Sequence, residues 1–162
     1  MTATADHVAE LRERVAAVLD PELPVVTIED LGILRDVSEV DGRVVVSITP
    51  TYSGCPATEA IAADVRRVLA ESGHPDAEVR FVLAPAWTTD WITDAGREAL
   101  AAAGIAPPGP RPSGPVPLTV AVRCPCCGSP DTRESSRFGS TPCKALRVCN
   151  ACQEPFDHVK PI

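Results

Sequence analysis

Cys124-Pro125-Cys126-Cys127 and Cys149-Asn150-Ala151-Cys152 are two C-x-x-C pairs separated by 21 residues. A tight turn through each pair points both sulfurs to one side. Two such knuckles supply four thiolates, the soft ligand set that a tetrahedral zinc or iron ion takes. Short strand-like runs approach them at residues 120–123 and 145–148. The spacing is that of a zinc ribbon. A module of 45 residues, 118–162, buries little core, so ligation is expected to supply much of its folding free energy. Zinc, a single iron and an iron–sulfur cluster all accept four thiolates, and the spacing does not choose among them. The competing reading is a set of reduced cysteines without metal, or a redox pair. Cys126 reads as part of the knuckle loop. Cys143, on the approach to the second pair, is a candidate extra ligand, and His158 is a weaker one.

Upstream of the knuckles, residues 106–117 hold six of the chain's 17 prolines. Such a stretch forms neither helix nor sheet ladder and reads as a semi-rigid linker. It divides a domain at 1–105 from the ribbon at 118–162. The two differ in charge: the first carries 18 acids and 8 bases, the second 4 acids and 6 bases. A chain with a net charge of −7 makes a poor nucleic-acid binder, because phosphate contacts dominate that affinity. No apolar run approaches the roughly 18 residues that a membrane span needs. The first 14 residues lack the basic-then-apolar order of a secretory signal. The expected location is therefore cytoplasmic, with the seven cysteines reduced.

The first domain reads as α+β, with helices packed on a small mixed sheet in the order αββαβα. Val8, Leu11, Val15, Val18 and Leu19 recur at steps of three and four, predicting a helix that stops at Asp20-Pro21. Residues 33–40 and 43–49 are rich in β-formers, and Asp41-Gly42 between them signals a two-residue hairpin. A second helix is predicted over 56–72, with Pro56 at its start and Gly73 after its end. Residues 78–83 predict a third strand and 89–103 a third helix. With aromatics at only 4%, the core must be built from aliphatic side chains.

Cys55 lies in the run Thr49-Pro50-Thr51-Tyr52-Ser53-Gly54-Cys55-Pro56. It would sit where a helix begins, and unpaired amides and the positive dipole end there lower a thiol pKa. The hydroxyls of Thr49, Thr51 and Ser53 can bond the sulfur or its ligand. The alternative is a small buried hydrophobe. Asp20-Pro21-Glu22 and Glu29-Asp30-Leu31-Gly32 are acidic stretches that turn chemistry also explains. His7 and His74 read as surface residues. Trp87 and Trp91 read either as a partner-binding patch or as filling between sheet and helix.

Taken together, Asp20-Pro21-Glu22, Asp30-Leu31-Gly32, Thr49-x-Thr51 and Gly54-Cys55-Pro56 resemble the small domain of cytosolic iron–sulfur assembly factors, the SufT-like family. The match narrows with the run from Thr49 to Glu59, Pro85-Ala86-Trp87-Thr88-Thr89-Asp90-Trp91, Phe138-Gly139-Ser140-Thr141, Cys143-Lys144-Ala145-Leu146 and Glu154-Pro155-Phe156-Asp157. These resemble the PaaD family of phenylacetyl-CoA epoxidase accessory proteins, which serve aerobic phenylacetate degradation. The resemblance covers nearly the whole chain outside the linker.

It implies a non-catalytic maturation factor that assembles or delivers iron–sulfur centres, with the [2Fe–2S] reductase of the epoxidase as the expected client. The other epoxidase components and the general iron–sulfur assembly machinery are the further expected partners, and a homodimer is a further expectation. Cys55 is implied to hold iron or a cluster transiently, with Asp20, Glu22 and Asp30 as neighbouring candidates. The alternative is a structural subunit that docks the epoxidase components. An enzyme with Cys55 as nucleophile lacks an evident His–Asp partner set. Family members can carry a cysteine before the final isoleucine, where this chain has Pro161, and Cys126 is an added thiol. Both departures favour the plain set Cys124, Cys127, Cys149 and Cys152.

Overall fold

The structure is a computed structural model that describes residues 2–52, 54, 56–109 and 121–162. Its contacts divide the chain into two compact units, Met1–Trp87 and Thr88–Ile162.

The first unit contains α1 (Thr2–Ala16), β1 (Leu34–Val40), β2 (Arg43–Ile48), α2 (Ala57–Glu71) and β3 (Glu78–Phe81). Asp41 and Gly42 both adopt positive φ, 52° and 77°, as a two-residue hairpin turn matched to strand twist requires. That turn sets the antiparallel register, pairing Val40 with Arg43 and Val37 with Val46. β3 adds parallel to the other side of β2, pairing Val79 with Val46. The sheet is therefore mixed, in the order β1-β2-β3. As the central strand, β2 buries Val44, Val45, Val46 and Ile48 rather than alternating. Ala57, Ile61, Val65 and Leu69, four residues apart, form the buried stripe of α2, and Leu11 and Val15 are buried on α1.

α1 ends at Ala16, one turn before the predicted stop at Asp20-Pro21. The chain then turns so that Leu19 bridges Thr27, which leaves Leu19 about half exposed instead of in the core. Asp20 anchors this loop, its Oδ1 accepting from the amides of Glu22 and Leu23 at 2.8 Å each.

The second unit holds a 3-10 turn at Thr89–Trp91, α3 (Asp94–Ala102), β4 (Ile105–Ala106), β5 (Thr132–Ser136), β6 (Lys144–Cys149) and β7 (Pro155–Val159). The single helix predicted over 89–103 is thus broken. Thr93 takes an extended conformation and caps α3 by accepting from the Gly96 amide at 3.0 Å. The four strands lie in the order β4-β7-β6-β5. β6 and β7 are antiparallel, and β4 joins parallel to β7, Ala106 opposite His158.

That last pairing bears on the domain boundary. Sequence reading puts residues 89–105 in the first domain, whereas the contacts put them with the ribbon strands. The reason is that β4 continues the ribbon's sheet and Arg97 ties the segment together, donating to the carbonyls of Thr89 (2.8 Å) and Pro108 (2.6 Å). Of the predicted linker, Ala106 is strand, and residues 110–117 lie outside the described residues. Of the strand-like run expected at 120–123, residues 121–123 are not strand and Val120 lies outside the described residues.

Candidate metal centre and the loop before α2

The two knuckles repeat one backbone design. The Cys124 amide donates to the Ser129 carbonyl at 2.9 Å, and the Cys149 amide donates to the Glu154 carbonyl at 3.0 Å. Gly128 donates back to the Cys124 carbonyl (2.8 Å) and Gln153 to the Cys149 carbonyl (3.0 Å). Both of these closing residues are left-handed, with φ 74° at Gly128 and 64° at Gln153. Two loops of the same shape thus present their sulfurs to one point.

The sulfurs of Cys124 and Cys152 are 3.7 Å apart, and those of Cys127 and Cys149 are 3.6 Å apart. All four lie within 4.8 Å of one another. Cys124 and Cys149 are buried, whereas Cys127 and Cys152 face solvent. Behind the cage, Cys124 and Cys149 pack with Ala106, Phe156 and Val122.

Without metal the thiols titrate unevenly. The amides of Cys152 and Ala151 pull Cys149 down to about 7, against desolvation. Although the Glu154 amide stabilises the Cys152 thiolate, desolvation and the three neighbouring thiols push Cys152 up to about 12. Four sulfurs this close cannot all ionise unaided, and a cation among them removes that repulsion. The donor set therefore fits a bound metal ion.

Cys143 is not part of this cage. Its sulfur lies 3.1 Å from the Thr141 hydroxyl, and the four-sulfur group excludes it. Cys126 is exposed on the knuckle loop. His158 is also outside the cage. Its ring is buried with both nitrogens unpartnered among the described residues, and burial, aided by the Arg147 cation, pushes it down to about 4.

The second candidate region follows β2. Ser53 and Cys55 lie outside the described residues. Around them, Gly54 has φ 91° and Pro56 is the N-cap of α2. Thr49 is buried, its amide donating to the Ile33 carbonyl at 2.8 Å, while its hydroxyl has no partner among the described residues. Thr51 is half-buried.

The acidic candidates are held by local turns. Asp20 is buried, Glu22 is exposed, and Asp30 accepts from the Thr27 hydroxyl at 2.9 Å while the Asp30 amide donates to that same hydroxyl. Arg12 of α1 braces the turn with two bonds to Glu29, at 2.9 and 3.1 Å.

The structure chooses the core alternative for one of the two tryptophans and adds a contact between two histidines. Trp87 is core: its indole N–H donates to the Leu31 carbonyl at 2.8 Å. His7 and His74, read as surface residues, are half-buried and meet with their Nε2 atoms 2.8 Å apart. The role of Gln153 in closing the second knuckle is not legible in the sequence, because glutamine carries no signal for a left-handed position.

Comparison with known proteins follows the same division. Residues 110–160 match the family model described as the PaaD zinc beta ribbon domain, and residues 9–81 match the one described as iron–sulfur cluster assembly protein. The chain is 45% identical over 159 residues to an Escherichia coli (strain K12) protein named "Putative 1,2-phenylacetyl-CoA epoxidase" and designated as one of that enzyme's subunits, covering 98% of this chain and 96% of that one. It is 38% identical over 85 residues to a Bacillus subtilis (strain 168) "Fe-S protein maturation auxiliary factor YitW", covering 51% of this chain and 82% of that one. Among solved structures, a "Domain of Unknown Function DUF59" from Bacillus anthracis superposes with a TM-score of 0.54 at 31% identity, covering 61% of this chain and 95% of that one. Among the described residues no helix is long and apolar enough to cross a membrane.

Proposed function

The chain belongs to the PaaD family of 1,2-phenylacetyl-CoA epoxidase subunits, an iron–sulfur assembly domain joined to a PaaD zinc ribbon, and from that premise we propose that it is an accessory factor that delivers iron–sulfur centres to the epoxidase. The reductase component, with its [2Fe–2S] cluster, is the proposed client, and general assembly factors are the proposed source. The protein is proposed to act as a helper of the epoxidase rather than as its catalyst. The observation that carries this reading is the pairing of both modules in one chain that aligns end to end with a protein named as an epoxidase subunit.

The two modules divide the work. The ribbon is proposed to hold a single zinc ion. Bonds of about 2.3 Å in a tetrahedron put sulfurs about 3.8 Å apart, close to the 3.6 and 3.7 Å separations of the two sulfur pairs. A closed four-thiolate cage releases its ion poorly, so it serves structure. Cys55 is the proposed transfer residue, and its cargo is iron or a cluster. In the transfer step a client cysteine thiol gives up its proton as its sulfur bonds to cargo iron, the Fe–S(Cys55) bond breaks, and that proton passes to the released Cys55 sulfur. Thr49 and Thr51 are proposed to supply hydroxyls to the cargo, and Asp20, Glu22 and Asp30 to shape the surrounding loops. The Thr49 hydroxyl, buried without a partner among the described residues and six residues before Cys55, supports this reading.

Co-expression of the epoxidase components with Cys55→Ala tests the reading. The variant is expected to fold, to retain one zinc per chain and to leave the reductase deficient in iron and sulfide. A fully loaded reductase beside Cys55→Ala would overturn the transfer role. A brown ribbon containing iron and sulfide would overturn the zinc assignment.

A further inference from the structure

Phe138 is 66% exposed, more than any other large hydrophobic residue among those described. It is also held in place. The Ser136 hydroxyl donates to the Phe138 carbonyl at 2.7 Å and accepts from the Phe138 amide at 3.3 Å. The Lys160 ammonium lies 4.8 Å from the ring centroid and donates to the Arg137 carbonyl at 3.2 Å. On the other side, the Gly139 amide donates to the Lys144 carbonyl at 2.8 Å. A Cβ at Gly139 would come within 3.1 Å of Asp157 Oδ1 and 3.2 Å of Lys144 Cβ. Lys144 itself is buried and paired with Asp157 at 3.5 Å. The loop is thus fixed from both flanks, and the phenyl ring is what it presents.

Folding gains nothing from an apolar ring left in water, but binding gains from one already ordered. A rigid, exposed aromatic loses little conformational freedom on docking and makes an efficient anchor. The charges around it indicate what it docks against. Lys144 and Arg147 have carboxylate partners, Asp157 and Glu134. Among the described residues Lys160, over the ring, and Arg137, next to Phe138 in the chain, make no ion pair with a carboxylate. An apolar anchor with one such cation over it and a second on the adjoining residue complements an apolar pocket with carboxylates on its rim.

We propose that Phe138, with Arg137 and Lys160, is the anchor by which the ribbon docks onto another component of the epoxidase, in an apolar pocket edged by acidic side chains. This rests on the accessory reading above, since membership in a family of epoxidase subunits is what makes the other components the partner. A nucleic acid fits the cations but not the net charge of −7, and a second copy of the chain is the other occupant to be tested.

The test uses the zinc-loaded full chain and each purified epoxidase component, with affinity measured by biolayer interferometry at two salt concentrations. Wild type and Cys55→Ala are expected to bind one component equally. Phe138→Ala is expected to weaken that binding at least tenfold, with zinc content and circular dichroism unchanged. Arg137→Glu and Lys160→Glu are expected to slow association and to flatten its salt dependence. Equal binding by wild type and Phe138→Ala would overturn the anchor while leaving the accessory reading intact. No binding of wild type to any component would overturn both. Dimers that Phe138→Ala converts to monomers, measured by light scattering, or binding of an oligonucleotide that needs Phe138, would overturn the partner assignment.

Discussion

The cysteine cage and the loop before α2 are built differently, and the proposed function gives them opposite tasks. In the cage, four sulfurs converge within 4.8 Å, and each knuckle closes its own backbone hydrogen bonds. Every donor there is committed to one central point. The residues proposed to serve transfer are instead anchored separately, Asp20 and Asp30 each by its own turn, and the Thr49 hydroxyl is buried without a partner among the described residues. A committed set suits a resident ion that holds a small module together. A set with unused bonding capacity suits a cargo that must leave.

Breaking the cage is expected to have the largest effect. Structural zinc in small modules contributes about 10–16 kcal/mol of binding free energy, and that energy is also folding energy. Cys149→Ser should therefore abolish zinc retention and melt the ribbon strands, while the first unit keeps its cooperative transition. Native-state hydrogen exchange would show this as lost protection across β4 to β7, with β1 to β3 unaffected. Retained protection there would remove the distinction between the two regions. Cys55→Ala, by contrast, should shift the melting temperature little.

The next effect is smaller and depends on pH. His158 is held near 4 in the folded ribbon against 6.5 for an unperturbed imidazole. The unfolded chain therefore binds the extra proton first, and stability is lost as pH falls below about 6.5. By linkage the loss is about 2 kcal/mol at pH 5 and about 3 kcal/mol below pH 4. His158→Leu removes this dependence but keeps the four thiols, whose own protonation also weakens the cage. The difference between the two proteins in denaturant unfolding at pH 7 and pH 5, with zinc in excess, isolates the histidine. Parallel curves would mean that the ring is solvated or paired.

The same contrast explains which features can be read from the chain. The cage and the hairpin are local: C-x-x-C spacing and Asp41-Gly42 carry their geometry within a few residues. The helix stripe of α2 is periodic and equally legible. The end of the first unit is not, because β4 is only two residues long and exists by pairing with Asp157 and His158, about 50 positions away. The break before α3 turns on the cap at Thr93, in a stretch where Thr88 and Thr89 offer the same capping hydroxyl. Thr49 is visible as a hydroxyl near Cys55 in sequence, but its burial is a product of the fold, which sets its amide against the Ile33 carbonyl 16 positions earlier. The anchor at Phe138 depends on Lys160 and Lys144, which the sequence places apart from it.

The smallest effect tests how far the cage's two halves are equivalent. Gly128 and Gln153 occupy matching left-handed positions, yet only glycine adopts that conformation without steric cost. A side chain there costs about 1–2 kcal/mol, from the approach of Cβ to the carbonyl oxygen. Gln153 offsets part of this by donating its side-chain amide to the Asn150 carbonyl at 2.7 Å. Gln153→Gly should therefore stabilise the ribbon by somewhat less than about 1 kcal/mol, and Gly128→Ala should destabilise it by about 1 kcal/mol. The space around Gly128 is open, so only its backbone conformation is at issue. Zinc competition with a chromophoric chelator reads both changes in the same assay. If Gln153→Gly weakens zinc retention instead, the side-chain bond to Asn150 outweighs the strain, and the second knuckle is held by its glutamine rather than merely tolerating it.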